Sequence, residues 1–140
     1  MTQDHSVASR FGASPKLARR AGNNTWIVPG DGALCAVQPS LRDGSASVFC
    51  NTEEHARAEG LVSWEFYGEG GDGVVSGVLP DGVDAVRVVD DSGAERTVTV
   101  NRNAFAAPVD ASTAGVTFAG PDGAVHEKPR PGTGVIGAAP

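Results

Sequence analysis

The chain has 140 residues, 19 glycines, 9 prolines and a formal net charge of −6, a length that suits one domain with a hydrophobic core. No run of Lys and Arg is long enough to follow a phosphate backbone, which argues against nucleic acid as a partner. No stretch approaches the ~20 apolar residues of a membrane-spanning helix, so no membrane span is predicted.

The first predicted elements are a flexible leader and a short helix. The leader is predicted over 1–13, and its first twelve residues are polar and contain no apolar core of a signal peptide. Ser14 and Pro15 then offer a capping hydroxyl and a proline suited to the first helical position. The pattern predicts about two turns of helix through Ala21, ended by Gly22, with its basic side chains on a solvated face.

The next elements are a strand over 25–28 and a hairpin that contains both cysteines. Cys35 and Cys50 lie symmetrically about a turn at 42–44. If the segments 33–38 and 47–51 pair around that turn, Cys35 lies opposite Cys50 and Val37 opposite Val48. Directly opposed residues have Cβ atoms roughly 4.5–5.5 Å apart, close to disulfide distance. The spacing therefore predicts a Cys35–Cys50 disulfide, the alternative being two buried, reduced cysteines that pack as small apolar residues.

A short helix and a series of strands follow the cysteine hairpin. Thr52 can cap a helix over 53–58 that Gly60 ends. Strands are predicted at 61–67, 74–79, 86–88, 98–100, 103–109, 115–119 and 124–127, with turns rich in Gly, Pro and Asp between them. Such closely spaced turns are typical of antiparallel sandwiches and barrels.

The predicted fold is therefore mainly β, an antiparallel β-sandwich or barrel-like meander with a short N-terminal helix and one small internal helix. A single β-rich domain is predicted over 14–127. The leader at 1–13 precedes it, and a flexible tail rich in Pro and Gly follows it at 128–140.

Three motifs contain residues that could carry chemistry, and each favours a plain structural role. The segment from Gly68 to Gly73 fits the GxGxxG pattern, but a strand follows where a bound phosphate needs a helix N-terminus. His55 and Glu59 could offer two metal ligands, whereas a zinc site normally takes at least three from protein. The acidic turn at 90–95 lacks the ligand spacing of a calcium loop. We therefore predict no catalytic residue, metal site or cofactor.

One part of the chain resembles known proteins. A Gly-x-x-Pro-Asp-Gly-Val turn at 77–83, a valine-rich hairpin around 91–93 and an Asn-x-Phe strand at 103–105 follow one another. This succession resembles a recurring segment of small uncharacterised β-rich proteins of actinobacteria, and the Trp-Ile-Val-Pro-Gly run at 26–30 and the cysteine pair are similar too. The resemblance covers roughly 17–125. It implies export, and it carries no catalytic or binding residues.

The predicted function is a non-catalytic extracytoplasmic β domain, a binding or interaction module for a protein, a cell-envelope polymer or a small ligand. Two alternatives stay open: a small enzyme with a carboxylate site between strands, and a structural domain of an exported protein. A disulfide indicates an oxidising compartment. The polar N-terminal residues leave a cytoplasmic protein with free thiols as the alternative location.

Overall fold

The computed structural model describes residues 18–39, 45–67 and 70–131. In these residues the chain forms eleven strands and one helix. In chain order they are β1 (Arg19–Arg20), β2 (Trp26–Pro29), β3 (Ala33–Pro39), β4 (Ala46–Thr52), α1 (Glu53–Glu59), β5 (Leu61–Phe66), β6 (Gly73–Val78), β7 (Ala85–Asp90), β8 (Glu95–Thr99), β9 (Ala104–Val109), β10 (Thr113–Ala119) and β11 (Val125–Pro129).

The strands form three antiparallel sheets. Sheet A has the order β1-β2-β3-β4, sheet B the order β5-β6-β9, and sheet C the order β11-β10-β7-β8. The predicted β-rich, antiparallel fold is thus confirmed. The described strands do not close into a barrel, because each of the three sheets keeps its own two edge strands.

The cysteine hairpin has the predicted register. Cys35 pairs with Cys50 and Val37 with Val48 across β3 and β4. A disulfide joins the two cysteines, whose Cα atoms are 4.0 Å apart. The turn at 42–44 lies outside the described residues. The pairing of β3 with β4 confirms the predicted register.

Helix α1 begins and ends where the sequence predicted its caps. The Thr52 hydroxyl accepts a hydrogen bond from the His55 N–H at 3.1 Å, a typical N-cap contact. Gly60 ends the helix at φ +75°, and a Cβ at this position would lie 2.8 Å from the carbonyl oxygen of Val78. Glycine is therefore required both by the backbone conformation and by the close approach of β6.

Sheet B lies between the other two sheets, packed on sheet C by one face and on sheet A by one end of the other face. One face packs on sheet C in a core formed by Val75, Leu79, Val83, Val86, Val88, Phe105, Ala107, Val109, Val116 and Phe118. Leu61 and Val78 point to the opposite face, where they contact Ala36 of sheet A and Ala56 of α1. The molecule therefore has three β layers, one more than the predicted sandwich.

The short helix predicted from Ser14 through Ala21 is not formed by its described residues. Residues 14–17 lie outside the described residues, but Arg19 and Arg20 form a strand and pair with Ile27 and Trp26. Backbone pairing with β2 replaces the helical hydrogen bonds at these positions, so tertiary context overrides the local helix preference. The leader at 1–13 lies outside the described residues.

The last strand is longer than predicted. Lys128 and Pro129 belong to β11 and pair with Val116 and Gly115 of β10. Of the predicted tail, 132–140 lies outside the described residues.

A polar contact links sheets A and B. The Gln38 side-chain amide donates to the Ser76 hydroxyl at 2.6 Å, and the Thr25 hydroxyl donates to the Gln38 carbonyl oxygen at 3.4 Å. Ser76 and Thr25 are buried, so these polar groups satisfy each other away from water.

Removing the Ser76 hydroxyl should loosen the junction between sheets A and B. We expect Ser76→Ala to lower the free energy of unfolding by about 1–2 kcal/mol, because the Gln38 amide loses its acceptor in a partly buried place. Urea unfolding measures the change. Ser63→Ala is the matched control, since Ser63 pairs with Ser76 across β5 and β6. Equal effects of the two variants would contradict a specific contact.

Candidate functional site

Three connections between strands meet at one end of the sandwich formed by sheets B and C. The chain reverses at each connection, so the β5–β6, β7–β8 and β9–β10 connections share this end. The Asp91 N–H donates to the Ser112 carbonyl oxygen at 2.8 Å. A Cβ on Gly71 would lie 2.8 Å from the Cα of Ala111. We call these segments, 70–72, 91–94 and 110–112, the loop end.

Arg130, just after β11, ties two of these segments together. Its guanidinium donates to the carbonyl oxygens of Asp110, Thr113 and Gly71 at 2.5, 3.3 and 3.2 Å. It also lies 4.6 Å from the ring centroid of Phe66, within cation–π range. The loop end is therefore held by one side chain that contacts both sheets.

Two aspartates shape the loop end through similar local hydrogen bonds. Asp90 Oδ1 accepts from the Ser92 N–H at 3.0 Å, from the Ser92 hydroxyl at 2.6 Å and from the Ala94 N–H at 2.9 Å. Asp110 Oδ1 accepts from the Ser112 N–H at 2.9 Å and from the Ser112 hydroxyl at 2.6 Å. Each carboxylate thereby fixes its own turn.

The hydrogen bonds of these turns also keep both aspartates ionised. The Ser92 hydroxyl lowers the pKa of Asp90, and the Ser112 hydroxyl lowers the pKa of Asp110. Hydrolysis by a carboxylate pair needs one member protonated, with a raised pKa. The pKa values of Asp90 and Asp110 are both lowered, so these two carboxylates do not support the hypothesis of an enzyme with a carboxylate site.

An open polar pocket of about 210 Å³ lies between the two aspartate turns. Its lining consists of Val88, Asp90, Ala94, Glu95, Arg96, Asp110, Ser112 and Thr113. The Arg96 guanidinium donates to the carbonyl oxygen of Pro108, and its positive charge contributes to the lowered pKa of Asp110. The pocket therefore places carboxylate acceptors beside one fixed cation and two hydroxyl groups.

A second cluster of titratable groups lies at the opposite end of the sandwich. Glu59 at the end of α1 accepts from Lys128 Nζ at 2.9 Å, and His126 Nδ1 is 3.4 Å from the same oxygen. The Lys128 ammonium holds the pKa of Glu59 below its usual range. His126 also stacks on Phe118, with ring centroids 5.1 Å apart. Both partners of Glu59 come from β11. From the sequence alone, Glu59 was considered only together with His55, as a possible pair of metal ligands.

Removing the ammonium at residue 128 should raise the pKa of Glu59 toward its usual value. Because the folded pKa is lowered, the stabilisation is complete above the unfolded pKa and is lost as pH falls through the folded one. Glu59 is 40% exposed, so solvent screening limits the contribution to about 0.5 kcal/mol. A carbon-detected NMR titration of the Glu59 carboxyl in Lys128→Met measures the change.

Arg57→Gln is the control for this titration. Arg57 pairs with Glu53 on the exposed side of α1, 2.7 Å away, so its removal should leave the pKa of Glu59 unchanged. A Glu59 pKa that stays the same in Lys128→Met would show that the Lys128 contact is not formed in solution.

The two cysteines predicted as site residues lie in sheet A, apart from the loop end. Cys35 is fully buried beside Val28 and Val37 on one face of that sheet. The Cys35–Cys50 disulfide has a structural role, because it joins β3 to β4. Sequence reasoning missed Asp110, Arg96 and Arg130. A usable signal was present, because Asp-x-Ser occurs at 90–92 and again at 110–112.

Wider searches add no functional assignment. No protein-family model matches the chain, and no curated protein or solved structure is significantly similar to it. Among the described residues, no group of three or more His, Cys, Asp or Glu side chains could hold a metal ion. No helix in the described ranges is long and apolar enough to cross a membrane.

Proposed function

We propose that this protein is a non-catalytic binding module that works outside the cytoplasm and holds a small polar ligand at its loop end. The observation that carries the proposal is the pocket between the β7–β8 and β9–β10 connections, with carboxylates and a guanidinium around it. Ligand sites of β-sandwich proteins commonly lie on loops gathered at one end of a rigid scaffold.

The disulfide supports the proposed location. Disulfides form and persist in oxidising compartments and are rare in the cytosol. The Cys35–Cys50 bridge is compatible with such a compartment, and it closes a loop with a sequence separation of 15 residues.

The side chains that line the pocket indicate which hydrogen-bonding groups the ligand carries. Asp90 and Asp110 use Oδ1 in their turns, and within the described residues Oδ2 of each accepts no hydrogen bond. Both carboxylates are ionised, so they are strong acceptors with one oxygen each to offer. The matching ligand carries several hydrogen-bond donors, which are either the hydroxyls of a saccharide or the ammonium groups of an amine.

Calorimetric titration with a panel of neutral saccharides and small diamines tests this proposal. We expect one class to bind, and Asp110→Asn to weaken that binding at least tenfold, because an amide cannot offer a charged acceptor. Asparagine can still form the local turn, so the fold should be kept.

Asp122→Asn is the matched control for the titration. Asp122 makes the same kind of turn, since its Oδ1 accepts from the Ala124 N–H at 2.9 Å, but it lies at the opposite end of sheet C. This variant should bind like the wild type. Absence of binding across the panel, or equal loss in the two variants, would refute a ligand site at the loop end.

A further inference from the structure

Sheet A carries apolar side chains on both of its faces. Ile27 and Ala36 pair across β2 and β3 and pack toward Leu61 and Val78 of sheet B. Because side chains alternate along a strand, the residues next to them point away from sheet B. We call this side of sheet A the outer face. Its apolar side chains are Ala18, Trp26, Val28, Cys35, Val37, Ala46, Val48 and Cys50.

The centre of the outer face is shielded from water within a single copy of the chain. Val28 is 3% exposed, Cys35 0% and Val37 8%. The hydrophobic side chains that pack against these three belong to sheet A or adjoin it at Ala18. Helix α1 lies on the opposite side, where Ala56 packs against sheet B. An antiparallel sheet face that nothing covers is solvated, so burial this deep requires a cover.

The connectivity of the chain indicates which segment can supply the cover. Outside the described residues, the segments of five or more residues are 1–17, 40–44 and 132–140. Residues 40–44 have to connect β3 to β4, so their length is used in closing that hairpin. Residues 132–140 follow β11 of sheet C, and sheet B separates sheet C from sheet A. Residues 1–17 lead directly into Ala18, which is itself part of the outer face.

The N-terminal segment is long enough to cross this face and contains one large aromatic side chain. Neighbouring strands lie about 4.8 Å apart, so the way from β1 across to β4 is about 14 Å. Phe11 precedes Ala18 by seven positions. An extended chain of that length spans up to about 23 Å, so the Phe11 ring can reach every strand of the outer face. A phenylalanine ring buries a large apolar area, which suits it to cover such a surface.

We propose that residues 1–17 pack on the outer face of sheet A, with the Phe11 ring over its three most buried side chains. The segment adds a fourth layer to the three that the described strands form. Arg20 borders this docking surface, since its guanidinium lies 6.0 Å from the ring centroid of Trp26. The outer face belongs to sheet A and the loop end to sheets B and C, so this inference does not rest on the proposed ligand site.

Nuclear Overhauser contacts in the labelled full chain test the docking directly. We expect the ring protons of Phe11 to show contacts with the methyl groups of Val28, Val37 or Val48. The methyl groups of Val86, in the core between sheets B and C, are the control and should show no contact with Phe11. This measurement uses the wild-type protein, so it does not depend on the folding of any variant.

Other occupants of the outer face would give different contacts. The proposal is overturned if Phe11 shows no contact with these methyl groups, or if the contacts come from 40–44 or from 132–140. In a mixture of differently labelled copies, contacts between copies would assign the outer face to a second copy of the chain and would overturn the proposal as well.

Phe11→Ser should uncover part of the outer face. Anilinonaphthalene sulfonate fluoresces when it binds exposed apolar surface, so we expect its fluorescence to rise severalfold in this variant. Val125→Ser is the matched control, because it replaces an apolar side chain of β11 that is already 69% exposed, and it should leave the fluorescence unchanged. Equal dye fluorescence in Phe11→Ser and the wild type would contradict the docking.

Discussion

Replacing Phe105 with alanine is expected to lower the free energy of unfolding by about 3–5 kcal/mol. Phe105 is 1% exposed and lies on β9, in the core between sheets B and C. It pairs with Gly77 of β6, which has no side chain to fill the space that the ring would leave. Removal of the ring therefore loses buried apolar area and creates a cavity. Urea unfolding followed by tryptophan fluorescence measures the loss.

Two further variants keep this prediction testable. Phe105→Leu retains most of the apolar volume, so it should cost clearly less than alanine and should fold even if the alanine variant does not. Val125→Ala removes an apolar side chain that is 69% exposed, and its effect should stay within about 0.5 kcal/mol. Similar losses for Phe105→Ala and Val125→Ala would contradict the proposed core.

Removing the disulfide should have the next largest effect. The double variant Cys35→Ala/Cys50→Ala is expected to lose about 2–4 kcal/mol, because the unfolded chain regains the freedom that the cross-link removes. The bridge also joins the third of the seven residue pairs between β3 and β4. The measurement is chemical unfolding of both proteins under oxidising conditions.

A reductant separates the bridge from the packing of the side chains. Dithiothreitol should lower the unfolding midpoint of the wild type toward that of the double variant and leave the variant itself unchanged. An unfolding midpoint that is the same in wild type and double variant without reductant would show that the bridge contributes nothing to stability.

The parts of the fold that the sequence predicted are those set by local signals. The symmetry of Cys35 and Cys50 about a turn determined a register that the structure reproduces. Thr52 and Gly60 bound α1 as expected, because capping depends on residues within one turn. The strand predicted at 86–88 is part of β7, and Val86 and Val88, two residues apart, are both buried as a strand's alternation requires.

The parts that were missed depend on contacts between distant segments. Arg19 and Arg20 form a strand only because β2 is available to pair with them. The third layer arises because Leu61 and Val78 are apolar on the face of sheet B that a two-layer sandwich would leave to solvent. Nothing in a local pattern shows which sheet covers such a face.

The candidate site was missed for the same reason. Asp91 and Ser112 are hydrogen-bonded across the loop end, although they are 21 positions apart in the sequence. Glu59 likewise meets Lys128 over a separation of 69 residues. The repeated Asp-x-Ser motif predicts two similar turns, but their proximity follows from the meander of sheets B and C. Arg130 contacts Gly71 only after that meander is complete.

The most direct test of the proposed function is a map of amide chemical shifts on labelled protein, titrated with the tightest ligand from the saccharide and diamine panel. If the loop end is the binding site, the shifts will centre on 91–96 and 110–113, and they will vanish in Asp110→Asn. Shifts that centre on sheet A, or that spread evenly over the surface and persist in this variant, would contradict the assignment of ligand binding to the loop end.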